Sequence, residues 1–326
     1  MTDSQFAPPS PLIEVQNLCV DYKIRSGGLH KSIRAVDCFS MRIARGEIVA
    51  LVGESGCGKS TTGRALARLV RPSNGAILFS GIDISHLPER RLRVHRSKIQ
   101  MVFQHPGPAL NPRVLIWRSI AEPLEAIGVK SEDCRLRVDA ILQKVGLPAQ
   151  AGQRYSHELS GGQLQRVAIA RALVGRPDFV VADEPLSSLD LSVQAQIMVL
   201  LKELQEEFGT SLLFITHDLA AAEYLSNRIA VMYLSKLVEC APAQEFSRRA
   251  LHPYSKALLD SIPLMDPGLE RNRHVEPLPG EVPSPLNPPT GCRFHTRCPL
   301  ADERCRREEP MMRKVSDEHE IACWRV

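Results

Sequence analysis

Residues 47–60, EIVALVGESGCGKS, join an apolar run to a glycine-rich loop. The apolar run at 47–52 predicts a buried strand, and the loop after it fits the phosphate-loop pattern G-x-x-x-x-G-K-[ST]. Glycines let the backbone fold tightly, so that successive N–H groups point at phosphate oxygens. Lys59 is expected to reach the β- and γ-phosphates of a nucleotide, and Ser60 to ligate Mg²⁺. The predicted phosphate-contacting set is Gly53, Ser55, Gly56, Cys57, Gly58, Lys59, Ser60 and Thr61.

Strand and helix patterns continue on both sides of this loop. A helix is predicted at 59–69, and its N-terminus faces the same anion. Further along the chain, apolar residues at helical spacing predict a helix at 193–208. Strands alternating with helices indicate an α/β fold with a parallel sheet. The other predicted strands of this sheet are residues 179–182 (FVVA), 212–216 (LLFIT) and 229–234 (IAVMYL).

A second glycine motif, LSGGQ at 159–163, precedes a helix predicted at 164–174. Its backbone amides and Ser160 are expected to form another phosphate-facing helix start. The strand at 179–182 ends in two acids, a pattern that resembles a Walker B element. We expect Asp183 to bind Mg²⁺ through water and Glu184 to orient the attacking water as general base. The nucleotide contacts predicted from the glycine motif are Ser160, Gly161, Gly162 and Gln163.

The order of these motifs resembles that of ATP-binding cassette (ABC) ATPases across residues 12–245. The resemblance implies a P-loop NTPase fold with a RecA-like parallel sheet core, an antiparallel β part and an α-helical subdomain at about 106–170. It also implies that two ATPase domains pair head-to-tail. Ser160 and Gly162 of one subunit would then close over the γ-phosphate held by the other, so that ATP binding shifts the pair to a closed state.

The resemblance also gives roles to residues that carry no motif of their own. Gln104 matches the glutamine that contacts Mg²⁺ and faces the membrane partner, and His217 matches the switch histidine at the γ-phosphate. Asp190 belongs to the D-loop, although Ser188 stands where family members often carry Ala. Tyr22 is the expected aromatic residue on the adenine, with an ordinary strand tyrosine as the alternative. The expected catalytic residues are Glu184, His217 and Gln104.

Four further stretches are similar to the oligopeptide/dipeptide importer subfamily. This similarity implies an ATPase subunit bound peripherally to the cytoplasmic face of the membrane. The implied partners are two transmembrane permease subunits, an extracytoplasmic solute-binding protein and a second, paralogous ATPase subunit. The four stretches are ALNPR at 109–113, EPLSSLDLSVQAQI at 184–197, HPYSKALL at 252–259 and LPGEVP at 278–283.

Other functions remain as alternatives at this point. One is an importer of another small solute, such as nickel or glutathione. Another is a soluble ABC ATPase acting on DNA or ribosomes, a class that generally carries a long coiled coil or two cassettes, and this sequence has neither. A third is a catalytically weak regulatory partner, which the intact Glu184 and LSGGQ motif argue against.

Composition sets broad limits on the chain. Of its 326 residues, 44% are hydrophobic and 24% charged, which excludes wholesale disorder. No apolar run approaches the ~18 residues of a membrane span. Residues 1–11 predict a flexible N-terminus without a signal peptide, so a cytosolic protein is expected. A net charge of +4 is too balanced to indicate nucleic-acid binding.

Four of the nine cysteines lie in a C-terminal extension predicted at 246–326, after a proline-rich stretch at 276–290. Four thiolates suit zinc or an iron–sulfur cluster. The wide spacing C-x5-C-x6-C-x17-C, with Pro299 after one cysteine, favours a [4Fe–4S] cluster over zinc. The family resemblance implies the same cluster, with zinc or free thiols as alternatives. Because a small, proline-rich segment with little apolar content needs such a staple to fold, the expected role is structural, with redox sensing as the alternative. The four residues are Cys292, Cys298, Cys305 and Cys323.

Overall fold

The computed structural model describes residues 10–26, 29–187, 189–244, 246–262, 266, 268, 271, 273 and 278–326. The predicted flexible N-terminus at 1–11 lies almost entirely outside these ranges. Strands and helices alternate along much of the described chain. The strands are β1 (Ile13–Ser26), β2 (Leu29–Ile43), β3 (Ile48–Val52), β4 (Asn74–Phe79), β5 (Ile82–Asp83), β6 (Ile99–Val102), β7 (Phe179–Asp183), β8 (Ser211–Ile215), β9 (Arg228–Tyr233), β10 (Lys236–Pro242), β11 (Arg313–Ser316) and β12 (His319–Ile321).

Helices occupy most of the segments between the central strands. Two 3-10 turns, Ala149–Gln153 and Ser156–Glu158, come before the sixth helix. No helix within the described part of the chain combines the length and the apolar character that a membrane span requires. The helices are α1 (Lys59–Leu66), α2 (Glu89–Arg96), α3 (Pro106–Ala109), α4 (Ile116–Glu125), α5 (Ser131–Lys144), α6 (Gly161–Leu173), α7 (Leu191–Phe208), α8 (Leu219–Leu225), α9 (Phe246–Arg249), α10 (Pro253–Asp260) and α11 (Glu303–Arg307).

The chain divides into two compact units, and the first comprises residues 1–18, 40–48 and 64–213. Its strands β6 and β7 run parallel, with Ile99 opposite Phe179. Between these two strands the described elements are helical, and α4 packs against α5 and α6. Ile116, Ile120 and Leu124 recur every four residues on α4 and are fully buried, so one face of this helix forms the core of the helical region.

The second unit comprises residues 19–39, 49–63 and 214–326. Its strands lie in the order β11-β12-β10-β9-β3. The pair β3 and β9 is parallel, with Val52 opposite Val231, and the pairs β9–β10, β10–β12 and β11–β12 are antiparallel. The last two strands of the chain therefore extend the sheet that leads into the glycine-rich loop. The predicted boundary at residue 245 does not separate these units, because the extension lies in the same unit as the loop.

Helix α1 is shorter than the sequence predicts, since it ends at Leu66 rather than at residue 69. Arg68 adopts a left-handed backbone conformation (φ 55°), which terminates the helix. The side chain of this residue is buried, and its Nε donates a hydrogen bond of 2.6 Å to the carbonyl of Ile84. The predicted helix at 164–174 instead begins at Gly161, where Ser160 caps it.

Candidate functional site

The glycine-rich loop at 53–58 follows β3 and leads into α1, as the sequence predicts. Gly53, Gly56 and Gly58 have φ angles of 150°, 78° and 109°. A Cβ atom at Gly53 would lie 2.2 Å from the carbonyl oxygen of Met232, and one at Gly58 would lie 2.2 Å from that of Ala35. The backbone approaches its neighbours too closely at these two positions for any other residue, whereas Gly56 faces open space.

Lys59 is buried, and its ammonium group lies against the backbone of the loop. Its Nζ donates hydrogen bonds to the carbonyl oxygens of Gly53 (2.7 Å) and Glu54 (3.0 Å). Ser55 and Gly56 are exposed at the tip of the loop. Burial raises the pKa of the Cys57 thiol against the opposing charge of Lys59, so this side chain stays neutral. The loop therefore places one positive charge beside a run of backbone N–H groups, which suits an anion.

Two predicted catalytic residues, 80 positions apart in the sequence, meet in the first unit. The Nε2 of Gln104 donates a hydrogen bond of 3.0 Å to Oε2 of Glu184. Glu184 has a left-handed backbone (φ 45°), which is uncommon for a residue other than glycine and is typical of functional sites. Asp183 ends β7 and is only 1% exposed. The structure thus orients the Glu184 carboxylate with an amide donor and places a buried carboxylate directly before it.

The LSGGQ motif forms the capped start of α6. Ser160 Oγ accepts from the backbone N–H of Gln163 (3.4 Å), and Gln163 Oε1 accepts from the backbone N–H of Ser160 (3.0 Å). Ser160 and Gly161 are exposed. A Cβ at Gly162 would lie 2.9 Å from Cγ1 of Val193, so glycine is needed there for close packing against α7. The motif presents an exposed helix N-terminus of the kind that binds anions.

The remaining predicted residues lie at the ends of their elements. His217 is exposed after β8, next to Asp218, which caps α8 by accepting from the N–H groups of Ala220 and Ala221. Asp190 is the residue before α7. Tyr22 is 36% exposed on β1. Ser188 of the predicted D-loop lies outside the described residues.

The predicted nucleotide residues fall into two groups by compact unit, and their assignment as one site stays a prediction. Within the first unit, a hydrogen bond joins two of the predicted catalytic residues, Gln104 and Glu184. The first unit holds Gln104, Ser160, Gly161, Gly162, Gln163, Asp183, Glu184 and Asp190. The second holds Tyr22, Gly53, Ser55, Gly56, Cys57, Gly58, Lys59, Ser60, Thr61 and His217.

Two residues that sequence reasoning missed contact the phosphate loop. The hydroxyl of Tyr254 accepts a hydrogen bond of 2.9 Å from the backbone N–H of Glu54. Nη1 of Arg297 lies 3.1 Å from both carboxylate oxygens of Glu54. Both residues belong to the C-terminal extension, more than 190 positions from the loop, and no motif in the sequence signals the contact.

The four C-terminal cysteines lie near one another in the second unit. Burial, with smaller contributions from the other three thiols, raises the pKa of Cys292 to about 11. The backbone N–H of Cys292 donates to the carbonyl of Cys305 (2.8 Å). No three of these four sulfurs lie within 4.8 Å of one another. A tetrahedral zinc site with Zn–S bonds of about 2.3 Å needs sulfurs about 3.8 Å apart, so this arrangement is wider than a closed zinc site.

A different group of metal-ligating side chains does come together within 4.8 Å, namely Cys19, Asp37 and Cys38. The two sulfurs are 3.8 Å apart. Asp37, however, already forms ion pairs with Lys236 (3.0 Å) and Arg293, which a metal ion would have to displace. We therefore do not assign a metal site to this group.

Comparisons with known proteins match both parts of the chain. The family described as "ABC transporter" matches residues 36–187, and the family described as "Oligopeptide/dipeptide transporter, C-terminal region" matches residues 238–305. The chain is 45% identical to the oligopeptide transport ATP-binding protein OppF of Salmonella typhimurium, over 97% of this chain and 96% of that protein. It is 46% identical to the putative oligopeptide transport ATP-binding protein YkfD of Bacillus subtilis, over 96% of this chain and 95% of that protein.

Solved structures also match a large part of the chain. The dimeric ATP-binding cassette MJ0796, in a post-hydrolysis state bound to ADP and Pi, has a TM-score of 0.65 and 31% identity. It covers 72% of this chain, and the match covers 100% of that chain. The cassette cbiO1 from Clostridium perfringens, part of the transporter complex cbiONQ, has a TM-score of 0.64 and 30% identity, with coverages of 73% and 91%.

Proposed function

Since the chain belongs to the ABC transporter family, as an ATP-binding subunit of the oligopeptide/dipeptide type, we propose roles for its residues in ATP-driven peptide import. The chain is the ATPase subunit of a peptide importer. The identity of 45% over 97% of the chain carries this conclusion, because it spans both the cassette and the C-terminal region. The family, the α/β cassette fold and the ATPase function predicted from the sequence are confirmed. The relatives are peptide transporters, which favours peptides over nickel or glutathione.

The loop at 53–61 would bind the phosphates of ATP. Its backbone N–H groups and the Lys59 ammonium supply the positive potential. The Lys59 ammonium, which donates to two loop carbonyl oxygens, would donate to phosphate oxygens instead when ATP binds. Tyr22 is exposed enough on β1 to stack on the adenine ring. Neither role requires the loop to refold, because its glycines already have the positive φ angles of the loop conformation.

Mg²⁺ fits the oxygen donors that the sequence predicts for it. Asp183 offers a buried carboxylate, Ser60 a hydroxyl and Gln104 an amide oxygen, and hard cations prefer such ligands. When bound, Mg²⁺ neutralises charge on the β- and γ-phosphates. We propose that these three side chains hold the ion.

Glu184 would act as the general base for the attacking water. The hydrogen bond from Gln104 fixes the orientation of the Glu184 carboxylate, so that its position depends on where the glutamine lies. A conformational change in the membrane partner that moves Gln104 would therefore change the orientation of the Glu184 carboxylate. His217, exposed after β8, would contact the γ-phosphate.

Related cassettes work as dimers in importers, and MJ0796 is dimeric in its post-hydrolysis structure. We propose that this chain pairs head-to-tail with a second, paralogous ATPase subunit. The exposed N-terminus of α6, at residues 160–163, would close on the γ-phosphate of the partner subunit, and Asp190 would lie beside it at the seam. The capping box between Ser160 and Gln163 keeps this helix start formed before the partner arrives.

The complex would sit at the cytoplasmic face of the membrane, with the helical region at about 106–170 docked on two transmembrane permease subunits. An extracytoplasmic solute-binding protein would deliver the peptide, and no nucleic acid would take part. Extraction of the tagged chain from membranes tests this proposal. Co-purification of permease subunits, with ATP hydrolysis stimulated by the peptide-loaded binding protein, is expected. Recovery with ribosomes or DNA instead would contradict it.

The four C-terminal cysteines would hold a [4Fe–4S] cluster with a structural role. Their thiols lie close enough to influence one another but are spread too widely for a closed zinc site, and a four-iron cluster is larger than one zinc ion. The extension also has few apolar residues near the cysteines, so a metal centre would stabilise its fold.

Anaerobic purification followed by iron, sulfide and zinc analysis tests the cluster. Brown protein with iron is expected, and Cys298→Ser should remove the iron. Cys134→Ser is the matched control, since Cys134 is fully buried in α5 of the other unit and should leave the iron content unchanged. Stoichiometric zinc without iron would reverse the assignment.

A further inference from the structure

Every polar group of one phosphate-loop residue, Glu54, is engaged, and the C-terminal extension supplies the partners of its backbone N–H and of its carboxylate. Its backbone N–H donates to the hydroxyl of Tyr254 (2.9 Å), and its carboxylate pairs with Arg297 (3.1 Å to each oxygen). Its carbonyl accepts from Nζ of Lys59 (3.0 Å). The residue that holds the phosphate-binding lysine is thus itself held by the extension.

Tyr254 and Arg297 are both buried. Tyr254 is fully buried, and its ring centroid lies 4.7 Å from that of Tyr233 and 5.4 Å from that of Phe294. Burial raises the pKa of Tyr254, so its hydroxyl stays neutral and can serve as an acceptor for the loop N–H. Arg297 is only 8% exposed and directly precedes Cys298. The arginine side of the ion pair is therefore shielded from water, while the Glu54 side chain is 28% exposed.

Charge explains what these contacts do for nucleotide binding. A carboxylate next to Gly53 lies beside the place where a triphosphate binds, and an uncompensated negative charge there would repel ATP. Arg297 neutralises that charge. Tyr254 holds the N–H of the Gly53–Glu54 peptide, and the carbonyl of that same peptide, on Gly53, accepts from Nζ of Lys59 (2.7 Å).

We propose that Tyr254 and Arg297 are positioning residues that set the affinity of the phosphate loop for MgATP by acting through Glu54. This inference rests on the proposed binding of ATP at residues 53–61. It gives the C-terminal extension a role in the ATPase cycle in addition to any metal it holds. The extension is then a part of the nucleotide site, although it touches no phosphate itself.

The test measures the dissociation constant of MgATP and the turnover at saturating MgATP for the full-length chain. Arg297→Gln should weaken binding about tenfold, within the usual range of coupling between sites, and change saturated turnover by less than about twofold. Arg297→Lys should recover part of the affinity, since it restores the charge without the planar group. Arg325→Gln is the matched control, because Arg325 lies two residues after Cys323 and pairs with Asp302 rather than with the loop.

A double variant, Arg297→Gln with Glu54→Gln, shows whether Arg297 acts through Glu54 or only stabilises the fold. When Glu54→Gln is added to Arg297→Gln, the affinity should return to within about threefold of the parent protein, because no uncompensated carboxylate remains. Tyr254→Phe should weaken binding about threefold, since only the acceptor for the loop N–H is lost. If Arg297→Gln lowers the melting temperature but leaves the dissociation constant unchanged, the inference is wrong. Failure of the second substitution to restore affinity would overturn it as well.

Lys59→Ala distinguishes this inference from the proposed function. Loss of MgATP binding in that variant, with unchanged binding in Arg297→Gln and Tyr254→Phe, would refute the role of the extension alone. Unchanged binding in Lys59→Ala would instead refute the assignment of the loop at 53–61 as the nucleotide site.

Discussion

Acidification should destabilise the protein through His252, a histidine that is buried in its neutral form. It is 1% exposed, and its Nδ1 accepts the backbone N–H of Tyr254 (3.1 Å), which caps α10. Burial lowers its pKa from the ordinary 6.5 to about 4. The folded protein therefore keeps His252 neutral at a pH where the unfolded chain protonates it.

The sign and size of the effect follow from proton linkage. Between pH 6.5 and pH 4 the unfolded chain binds a proton at His252 that the folded chain does not, so the free energy of unfolding falls as the pH falls. Each pH unit within this window changes the free energy of unfolding by about 1.4 kcal/mol. Lowering the pH from 7 to 5 should thus remove about 2 kcal/mol through this residue.

Urea unfolding at pH 7 and pH 5 measures the effect, with His252→Asn as the comparison. Asparagine keeps a side-chain acceptor that can cap α10 but does not titrate. The parent protein should lose about 2 kcal/mol more than the variant between the two pH values, because groups shared by both proteins, including Glu239 and His319 nearby, cancel. Equal losses in the two proteins would refute the reasoning.

Three further substitutions give definite expectations. Glu184→Gln should retain ATP binding and lower hydrolysis about 10²- to 10⁴-fold, and hydrolysis at the parent rate would exclude Glu184 as the base. Gly58→Ala should abolish binding of a fluorescent ATP analogue, since its Cβ would lie 2.2 Å from the Ala35 carbonyl, whereas Gly56→Ala meets no neighbour and adds only the strain of a left-handed backbone (φ 78°), so it should weaken binding less. Glu239→Ala should lower the free energy of unfolding by about 3–5 kcal/mol, because this fully buried carboxylate accepts two backbone N–H groups. Glu239→Gln should cost less than half as much, and equal losses would argue against those bonds.

Local patterns predicted most of the elements that carry the site. The strand before Gly53, the helix after Lys59 and the strand that ends in Asp183 all lie where the sequence places them, because apolar runs and glycine motifs act over short distances. The cap of α6 by Ser160 is equally local, yet the predicted helix began at residue 164, three residues after its actual start at Gly161. The left-handed residue Arg68, which ends α1 early, carries no sequence signal comparable to glycine.

Long-range contacts could not be predicted in the same way. The sequence predicts separate roles for Gln104 and Glu184 but not the hydrogen bond between them, since that bond depends on how β6 and β7 align. The contact of Glu54 with Arg297 joins a variable position of the loop to an arginine between two cysteines. Neither residue stands out by spacing or composition, so only the fold reveals that the extension supports the loop.

Uptake of a labelled peptide tests most directly the claim that this chain powers peptide import. Cells that lack the gene would carry either the parent chain or Glu184→Gln, expressed to equal levels, with uptake of an amino acid as the control. The parent chain should restore peptide uptake, Glu184→Gln should not, and amino-acid uptake should be the same in both. Peptide uptake that is unaffected by loss of the gene, or fully restored by Glu184→Gln, would contradict the account.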